Sequence, residues 1–176
     1  MPKTAAAPDG AIQLGDPSLV AEEDLLLDAQ NPRFYGQDGS SDQQSMLTTL
    51  WRDFAVDEIA LSIAANSYFQ YEPLFAAIEQ GAPVVVEGNR RLAAVKLLCH
   101  EDLRKSVGAT ELPKLSAKAV KALKQLPVIV TSRETIWQYI GFKHVNGPQP
   151  WQSSSKAQYI AWVHNELGVS LENIAR

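Results

Sequence analysis

The stretch Pro83–Leu98, PVVVEGNRRLAAVKLL, contains the transition that organises this chain. Its first half is a run of valines, which favours a strand, and its second half places Leu92, Val95 and Leu98 on one face of a helix. Gly88-Asn89-Arg90-Arg91 therefore lies where a strand ends and a helix begins. A helix N-terminus has unpaired backbone N–H groups and the positive end of the helix dipole, so this junction is suited to bind an anion.

Two interpretations of the junction stay open on its residues alone. In the first it binds a polyphosphate: Gly88 lets the anion approach the backbone, and Asn89 caps the helix. Arg90 and Arg91 then donate to phosphate oxygens, and Glu87 holds a metal ion or polarises a water molecule. In the second interpretation the segment is only a turn followed by two solvated arginines.

Upstream of the junction, the sequence predicts one strand, two helices and a hairpin. Apolar spacing predicts the helices, and the glycine between two apolar runs predicts the hairpin. In chain order the elements are a strand at Asp24–Asp28 that ends before Asn31-Pro32, a helix over 46–54 capped by Ser41 or Asp42, a helix from Val56 to about Asn66, and a hairpin over 73–87 that turns at Glu79-Gln80-Gly81.

Downstream, the sequence predicts a short helix, a strand and further helices. They are a helix at Ser116–Leu123, a strand at Leu126–Thr131, a helix capped by Ser132 with Ile136, Ile140 and Phe142 inward, a helix capped within Ser153–Ser155 with Ala157, Ile160, Ala161, His164 and Leu167 inward, and a last helix that opens at Ser170. Gly168 is predicted to end the helix before it.

Composition predicts a globular protein of the reducing cytoplasm. The chain has 176 residues with 45% hydrophobic content, enough for a substantial core. A single cysteine, Cys99, rules out a disulfide framework and a cysteine-rich zinc site. We expect neither a secretion signal nor membrane insertion, because no apolar run is long enough.

The net charge of −4 conceals a strong asymmetry. Residues 1–88 contain three Lys/Arg and fourteen Asp/Glu, whereas residues 89–176 contain thirteen Lys/Arg and six Asp/Glu. The basic half suggests an anionic partner. Alternatively, the two halves attract each other within one fold.

The element order and two motifs resemble the ParB/sulfiredoxin superfamily, and within it the ParB-like N-terminal domain of nuclease type, outside the partition group. Asn31-Pro32-Arg33 is similar to the first conserved box of that family, and EGNRRLAAVKLL, at 87–98, to its second. The resemblance implies an α+β fold with a small mixed sheet flanked by helices, followed by a C-terminal helical segment. It divides the chain into a flexible arm (1–18), a nucleotide-binding domain (19–131) and a helical segment (132–176) that leads into a helix-turn-helix.

The resemblance also implies a function: binding of CTP or ATP with Mg²⁺, coupled to DNA binding through the helical segment, with slow triphosphate hydrolysis. A homodimer is compatible with it. The implied nucleotide-binding residues are Arg33, Gly88, Asn89, Arg90, Arg91, His144 and Asn146, with Glu87 as the metal ligand and Glu87 or Glu72 as the catalytic base. For Glu72, a solvated side chain before a strand is the alternative.

Other uses of the fold remain as rivals, namely a nuclease, a small-molecule kinase, or a docking domain without nucleotide chemistry. Asn89 stands where sulfiredoxins have their cysteine, so sulfinic-acid reduction is not expected. The segment Lys143–Gly147 lacks the glutamate and arginine of the partition motif ENxxR, which argues against a CTP-dependent clamp.

Several other residues favour ordinary structural roles. His164 is interpreted as a partly buried histidine of a helix. The lysines that recur every three or four residues are interpreted as the solvated side of a helix, with contacts to a nucleic-acid backbone as the alternative; they are Lys114, Lys118, Lys121 and Lys124. The tryptophans are interpreted as core residues; they are Trp51, Trp137, Trp151 and Trp162.

Overall fold

The computed structural model of the protein describes residues 15–34, 42–145 and 151–174. The strands within these ranges are β1 (Ser18–Ala21), β2 (Leu26–Leu27), β3 (Leu74–Glu79), β4 (Ala82–Glu87) and β5 (Gln125–Val130). The helices are α1 (Gln43–Asp53), α2 (Val56–Asn66), α3 (Asn89–Cys99), α4 (Glu101–Val107), α5 (Ala117–Leu123), α6 (Arg133–Val145), α7 (Ser153–Glu166) and α8 (Leu171–Ile174). A short 3-10 turn covers Pro32–Phe34.

The strands form one mixed sheet in the order β1-β5-β3-β4-β2. β3 and β4 make an antiparallel hairpin, β1 is antiparallel to β5, and β2 and β5 run parallel to their neighbours β4 and β3. The predicted α+β class, with a small mixed sheet and flanking helices, is confirmed. None of the helices within the described ranges combines the length and apolar character that a membrane crossing needs.

The hairpin turn lies where the sequence predicts it. Gln80 and Gly81 have φ angles of 51° and 83°, which is the left-handed backbone that a tight two-residue hairpin turn requires. Glycine adopts this conformation without steric cost. The turn sets the register in which Ile78 faces Pro83, so β4 ends at Glu87 beside the start of α3.

The two faces of the sheet support two hydrophobic cores. Along β3, Leu74 and Ala76 belong to the larger core, with residues of α1, α2 and α3. Phe75 and Ala77 point to the opposite face and belong to the smaller core, with residues of α6 and α7. The alternation of side chains along a strand therefore joins the C-terminal helices to the same sheet that carries α3.

Two of the predicted helix caps, Asp42 and Ser132, are confirmed, and Ser116 caps α5 in the same way. Asp42 accepts a hydrogen bond from the Ser45 backbone N–H at 3.0 Å, and Ser116 accepts one from Ala119 at 3.2 Å. Ser132 accepts from the Thr135 N–H at 3.3 Å at the start of α6. These side chains satisfy backbone donors that a helix start leaves unpaired.

Three predictions about local structure are wrong. β1 and α4 were not expected, and the strand predicted at Asp24–Asp28 is reduced to β2. β1 has few core side chains and forms only because β5 supplies a pairing edge. The first residue of β1, Ser18, is also the last residue of the predicted arm, and residues 1–14 lie outside the described residues.

The inward faces of α6 and α7 also differ from the prediction. Phe142 is 75% exposed, whereas Ile136 and Ile140 are buried as expected. In α7 the buried residues are Ser155, Tyr159 and Val163, and the side chains predicted inward lie mostly on the exposed side. The residue before α7, Gln152, makes no side-chain capping bond, so the predicted serine cap is wrong as well. Gly168 follows α7 with φ 69°, as predicted for its end.

Candidate anion-binding cavity

A cavity of about 440 Å³ lies around the start of α3. The end of β4, the 3-10 turn, α2, the loop before β3 and the end of α6 contribute to its wall. Every predicted site residue that the structure describes lines it: Arg33, Glu72, Glu87, Gly88, Asn89, Arg90, Arg91 and His144. Asn146 lies outside the described residues.

Gly88 is the N-cap residue of α3, but the reason that this position needs a glycine differs from the predicted one. Its φ of 103° disfavours a side chain, and a Cβ atom there would lie 2.4 Å from Leu74 Cδ2. The crowding therefore comes from a core leucine of β3. The sharp turn that results lets α3 start directly at the end of β4.

Asn89 holds the junction together instead of capping it. Its buried side chain accepts a hydrogen bond from the Asp28 N–H at 2.9 Å and donates one to the Val85 carbonyl at 2.6 Å. The amide therefore joins the ends of β2 and β4, and the predicted capping role is wrong because both side-chain polar atoms are used in this way.

Glu87 is a buried carboxylate surrounded by positive charge. Lys143 Nζ bonds its Oε1, Arg91 Nη2 lies 3.3 Å from the same oxygen, and His144 Nε2 lies 3.0 Å from Oε2. Burial alone would raise the pKa of Glu87, but the hydrogen bond from His144 and the charges of Lys143 and Arg91 hold that pKa far below its usual range. Glu87 is therefore ionised and engaged on both oxygens.

Arg91 fixes the base of the cavity to the start of β3. Besides Glu87, its guanidinium donates to the backbone carbonyls of Glu72 and, at 3.4 Å, Pro73. The Arg91 side chain is 15% exposed, whereas the Glu72 side chain is 64% exposed. Arg91 Nη1 lies 3.5 Å from Glu72 Oε2. Arg91 is thus held in place by the protein, and Glu72 projects from the rim.

Arg33 and Arg90 bring two further guanidinium groups to the same wall. Burial, followed by repulsion from Arg90, lowers the pKa of Arg33 to about 10. Arg90 donates to the Ala55 carbonyl at 2.8 Å, and burial also lowers its pKa. The Nε atom of Arg90 is buried and has no hydrogen-bond partner within the described part of the chain. Two guanidiniums that repel each other beside a cavity favour an anionic ligand.

Lys143, His144 and Trp151 close the cavity from the C-terminal side. The rings of His144 and Trp151 stack at 4.7 Å with an interplanar angle of 14°. The backbone N–H of Trp151 also donates to the backbone carbonyl of His144 at 2.9 Å. The indole Nε1 of Trp151 is a second buried donor that lacks a partner among residues 15–34, 42–145 and 151–174.

An ion-pair network places α6 so that its end reaches Glu87. Arg133, at the start of α6, forms a two-pronged pair with the carboxylate of Asp28 at 2.7 and 3.0 Å and bonds Glu79 at 2.6 Å. Burial lowers the pKa of Arg133, but these hydrogen bonds outweigh it and raise the value overall. The network connects α6 to β3 and to the same Asp28 whose backbone contacts Asn89.

One wall of the cavity is apolar and partly aromatic. Ile59 and Ile63 of α2 lie along it, together with Tyr68 and Phe69 of the loop that follows. Phe69 is 54% exposed, so its ring is accessible to solvent. The cavity therefore combines a cationic side with an apolar side that can stack against a planar ring.

The residues present do not fit the predicted role of Glu87 as a metal ligand. Both of its oxygens accept hydrogen bonds, from Lys143 and from His144, and a divalent ion would have to displace at least one of these donors. Among the described residues no three His, Cys, Asp or Glu side chains group at metal-binding distance. Glu72 and Glu58, at the wall, are single exposed carboxylates.

Some cavity residues were not predicted as site residues. Asn31, Glu58, Ser62, Tyr68, Phe69, Lys143 and Trp151 also line the cavity. Lys143 was signalled by its position next to His144, and Trp151 is both the predicted core residue and a wall of the site. The α2 residues had no local signal, because the same amphipathic pattern describes any packed helix.

A scan of the chain against protein-family models found no match, and a search among curated proteins found none either.

Proposed function

We propose that this protein binds a nucleoside triphosphate, CTP or ATP, in the cavity at the start of α3. The observation that carries the proposal is the convergence of Arg33, Arg90, Arg91 and Lys143 on one cavity with a helix N-terminus. Guanidinium and ammonium groups at such a position are typical of phosphate binding. A volume of about 440 Å³ lies within the range of small-molecule sites.

The cationic side chains of the lining support an anionic ligand. Glu87 is the only buried carboxylate among the described residues of the lining, and it already contacts Arg91, Lys143 and His144. Arg33 and Arg90 add two guanidinium groups to the lining, which also contains the exposed carboxylates of Glu58 and Glu72.

The apolar wall supports a ligand with a planar base. Phosphates would bind at Arg33, Arg90 and the α3 start, and the base would lie against Ile59, Ile63 and Phe69. Base-to-aromatic stacking adds affinity with little sequence preference. This use of the cavity agrees with the resemblance of 31–33 and 87–98 to the ParB/sulfiredoxin motifs.

DNA is proposed as a second partner, through the C-terminal helices. α7 is followed by a short turn containing Gly168 and then by α8, which packs on α7. Two consecutive packed helices joined by a short turn are the core of a helix-turn-helix. A band-shift titration with and without nucleotide checks this partner, and an absence of any shift in low salt argues against it.

Calorimetric titration with CTP, ATP, GTP and ADP, each with and without Mg²⁺, tests the nucleotide proposal. We expect at least one to bind, and Arg33→Ala and Lys143→Ala each to weaken binding by about tenfold or more, because charge-assisted hydrogen bonds are lost. Arg52→Ala is the matched control, since Arg52 pairs with its neighbour Asp53 and does not line the cavity.

If none of the nucleotides binds, the proposal is overturned and the docking-domain hypothesis is favoured. Inorganic triphosphate and the free nucleosides, titrated separately, show which part of the ligand each wall contacts. The remaining rivals have their own assays: nicking of supercoiled plasmid for a nuclease, and phosphate transfer to free serine for a kinase.

A further inference from the structure

His144 and Glu87 form a carboxylate–imidazole pair inside the cavity. His144 Nε2 lies 3.0 Å from Glu87 Oε2, and the imidazole side chain is only 12% exposed. Stacking on Trp151 restricts rotation of the ring. Both members of the pair line the same cavity as the cationic side chains.

The pair determines which ring nitrogen is available for chemistry. An ionised carboxylate can only accept hydrogen bonds, so His144 Nε2 carries the hydrogen and donates it to Glu87. In the neutral imidazole the lone pair is then on Nδ1. Within residues 15–34, 42–145 and 151–174 no group forms a hydrogen bond with Nδ1.

Glu87 itself is poorly suited to accept a proton from a substrate. Its oxygens already accept from Lys143 and His144, with Arg91 close by, and these donors stabilise the ionised form. A group that is stabilised so strongly as an anion has little basicity left for proton transfer. The base predicted at Glu87 therefore has a better candidate next to it.

We propose that His144 is the general base for hydrolysis of the bound nucleoside triphosphate, with Glu87 as the positioning residue that sets its tautomer. This inference rests on the proposed function, since it requires the nucleotide to occupy this cavity. It assigns the catalytic role to the imidazole and leaves Glu87 without direct contact with the reacting atoms.

The step balances as follows. A water oxygen forms a bond to the γ-phosphorus while its proton passes to His144 Nδ1. The bond between the γ-phosphorus and the β–γ bridging oxygen breaks, and its electron pair stays on the nucleoside diphosphate. The imidazolium then returns its proton to solvent, so the products are the diphosphate and inorganic phosphate.

Charged side chains share the cavity lining with His144. They are Glu58, Glu72, Glu87, Arg33, Arg90, Arg91 and Lys143, and Tyr159 of α7 packs against Trp151. The phosphates are placed at Arg33, Arg90 and the α3 start, and Glu87 is the group bonded to the ring. Removal of Glu87 therefore changes the electrostatic environment of His144 directly.

Two variants separate the roles. His144→Gln keeps an amide N–H that can donate to Glu87 but has no basic lone pair. Glu87→Gln keeps the shape of the carboxylate but loses its charge. His164→Asn is the matched histidine control, because His164 is exposed on α7 and bonds only the Val169 carbonyl among the described residues.

Binding is measured by calorimetry, and turnover by single-turnover release of phosphate across pH 5–9. We expect His144→Gln to bind nucleotide within about threefold of the wild type and to hydrolyse it about 10²-fold or more slowly. The wild-type rate should rise with pH, and His144→Gln should lose this rise. Glu87→Gln should also change the pH dependence of the rate, because the ring loses its negative neighbour. His164→Asn should match the wild type.

Each other outcome overturns the inference. Nucleotide binding without any hydrolysis by the wild type removes it and leaves the proposed function intact, whereas absence of binding removes both. Equal losses of binding and turnover in His144→Gln make His144 a ligand contact only. If that variant fails to fold by circular dichroism, a wild-type rate that does not rise with pH is sufficient to reject the base.

Discussion

Gly88 illustrates how one residue can serve the site for a reason that its neighbours in sequence do not reveal. The motif suggested that the glycine makes room for an anion. In the structure the Leu74 side chain occupies the space that a Cβ atom at position 88 would need, and the left-handed backbone turns the chain from β4 into α3. Asn89 likewise does not cap α3: its side chain makes hydrogen bonds with the backbone of Asp28 and of Val85. Both residues shape the site through the backbone.

Replacement of Gly88 by alanine should destabilise the protein by about 3 kcal/mol, because backbone strain adds to a clash with Leu74. Gly81→Ala is the matched control: its φ is 83°, but nothing lies within 4 Å of the added Cβ. We expect the control to cost only about 1 kcal/mol. Urea denaturation followed by tryptophan fluorescence measures both, and equal losses would show that Leu74 moves away freely.

α7 shows how a helix can be predicted correctly and its buried face incorrectly. The middle of α7 has five consecutive apolar residues, Tyr159–Val163, so two faces separated by one residue fit the helical period. Contact with α6 decides between them, since the Tyr159 hydroxyl donates to the Trp137 carbonyl at 2.7 Å. α7 also packs on the 3-10 turn, next to Arg33. The orientation of this helix is thus a tertiary property.

Shortening a side chain should lower the free energy of unfolding by different amounts on the two faces of α7. Val163 is fully buried, so Val163→Ala should lower the free energy of unfolding by about 2 kcal/mol. Ile160 belongs to the face expected from sequence and is 37% exposed, so Ile160→Ala should cost about 1 kcal/mol or less despite removing more carbon atoms. Equilibrium denaturation of the two variants checks this order. A larger loss for Ile160→Ala would support the sequence-based face.

In the molecule as a whole, the charge asymmetry is used largely within the fold. Carboxylates of the acidic half pair with cations of the basic half in the Glu22, Asp28, Glu79 and Glu87 networks. The hypothesis that the halves attract each other is therefore confirmed. Around the α3 start the cations outnumber the buried carboxylate, and there the anionic-partner hypothesis persists as the proposed function.

Glu22 predicts how the stability of the whole molecule depends on pH. It is fully buried beside His100, Lys124 and Lys96. Burial raises its pKa, but hydrogen bonds from Lys124 and His100 outweigh this and lower the pKa below the model-compound value of 4.5. Because the folded value is the lower one, its stabilisation is complete above about pH 4.5 and is lost as the pH falls through the folded value.

Glu22→Gln should therefore cost about 2 kcal/mol at pH 7, because cations lose a buried partner, and less as the solution is acidified. Urea denaturation at pH 7 and at pH 3.5 measures the difference. Glu101→Gln is the control, since Glu101 pairs with Lys105 on the surface, and we expect it to leave the stability almost unchanged. A penalty for Glu22→Gln that is independent of pH would contradict this linkage.

Local pattern by itself determined the hairpin, the start of α3, α1, α2 and the junction where charged residues follow a strand, because these depend on contacts between near neighbours in sequence. The structure alone decided what depends on distant partners. β1 needs the edge of β5, the face of α7 needs α6, and Glu87 receives its partners Lys143 and His144 from the distant helix α6. Burial and charge at a site are sums over the whole fold, and no single stretch of sequence contains them.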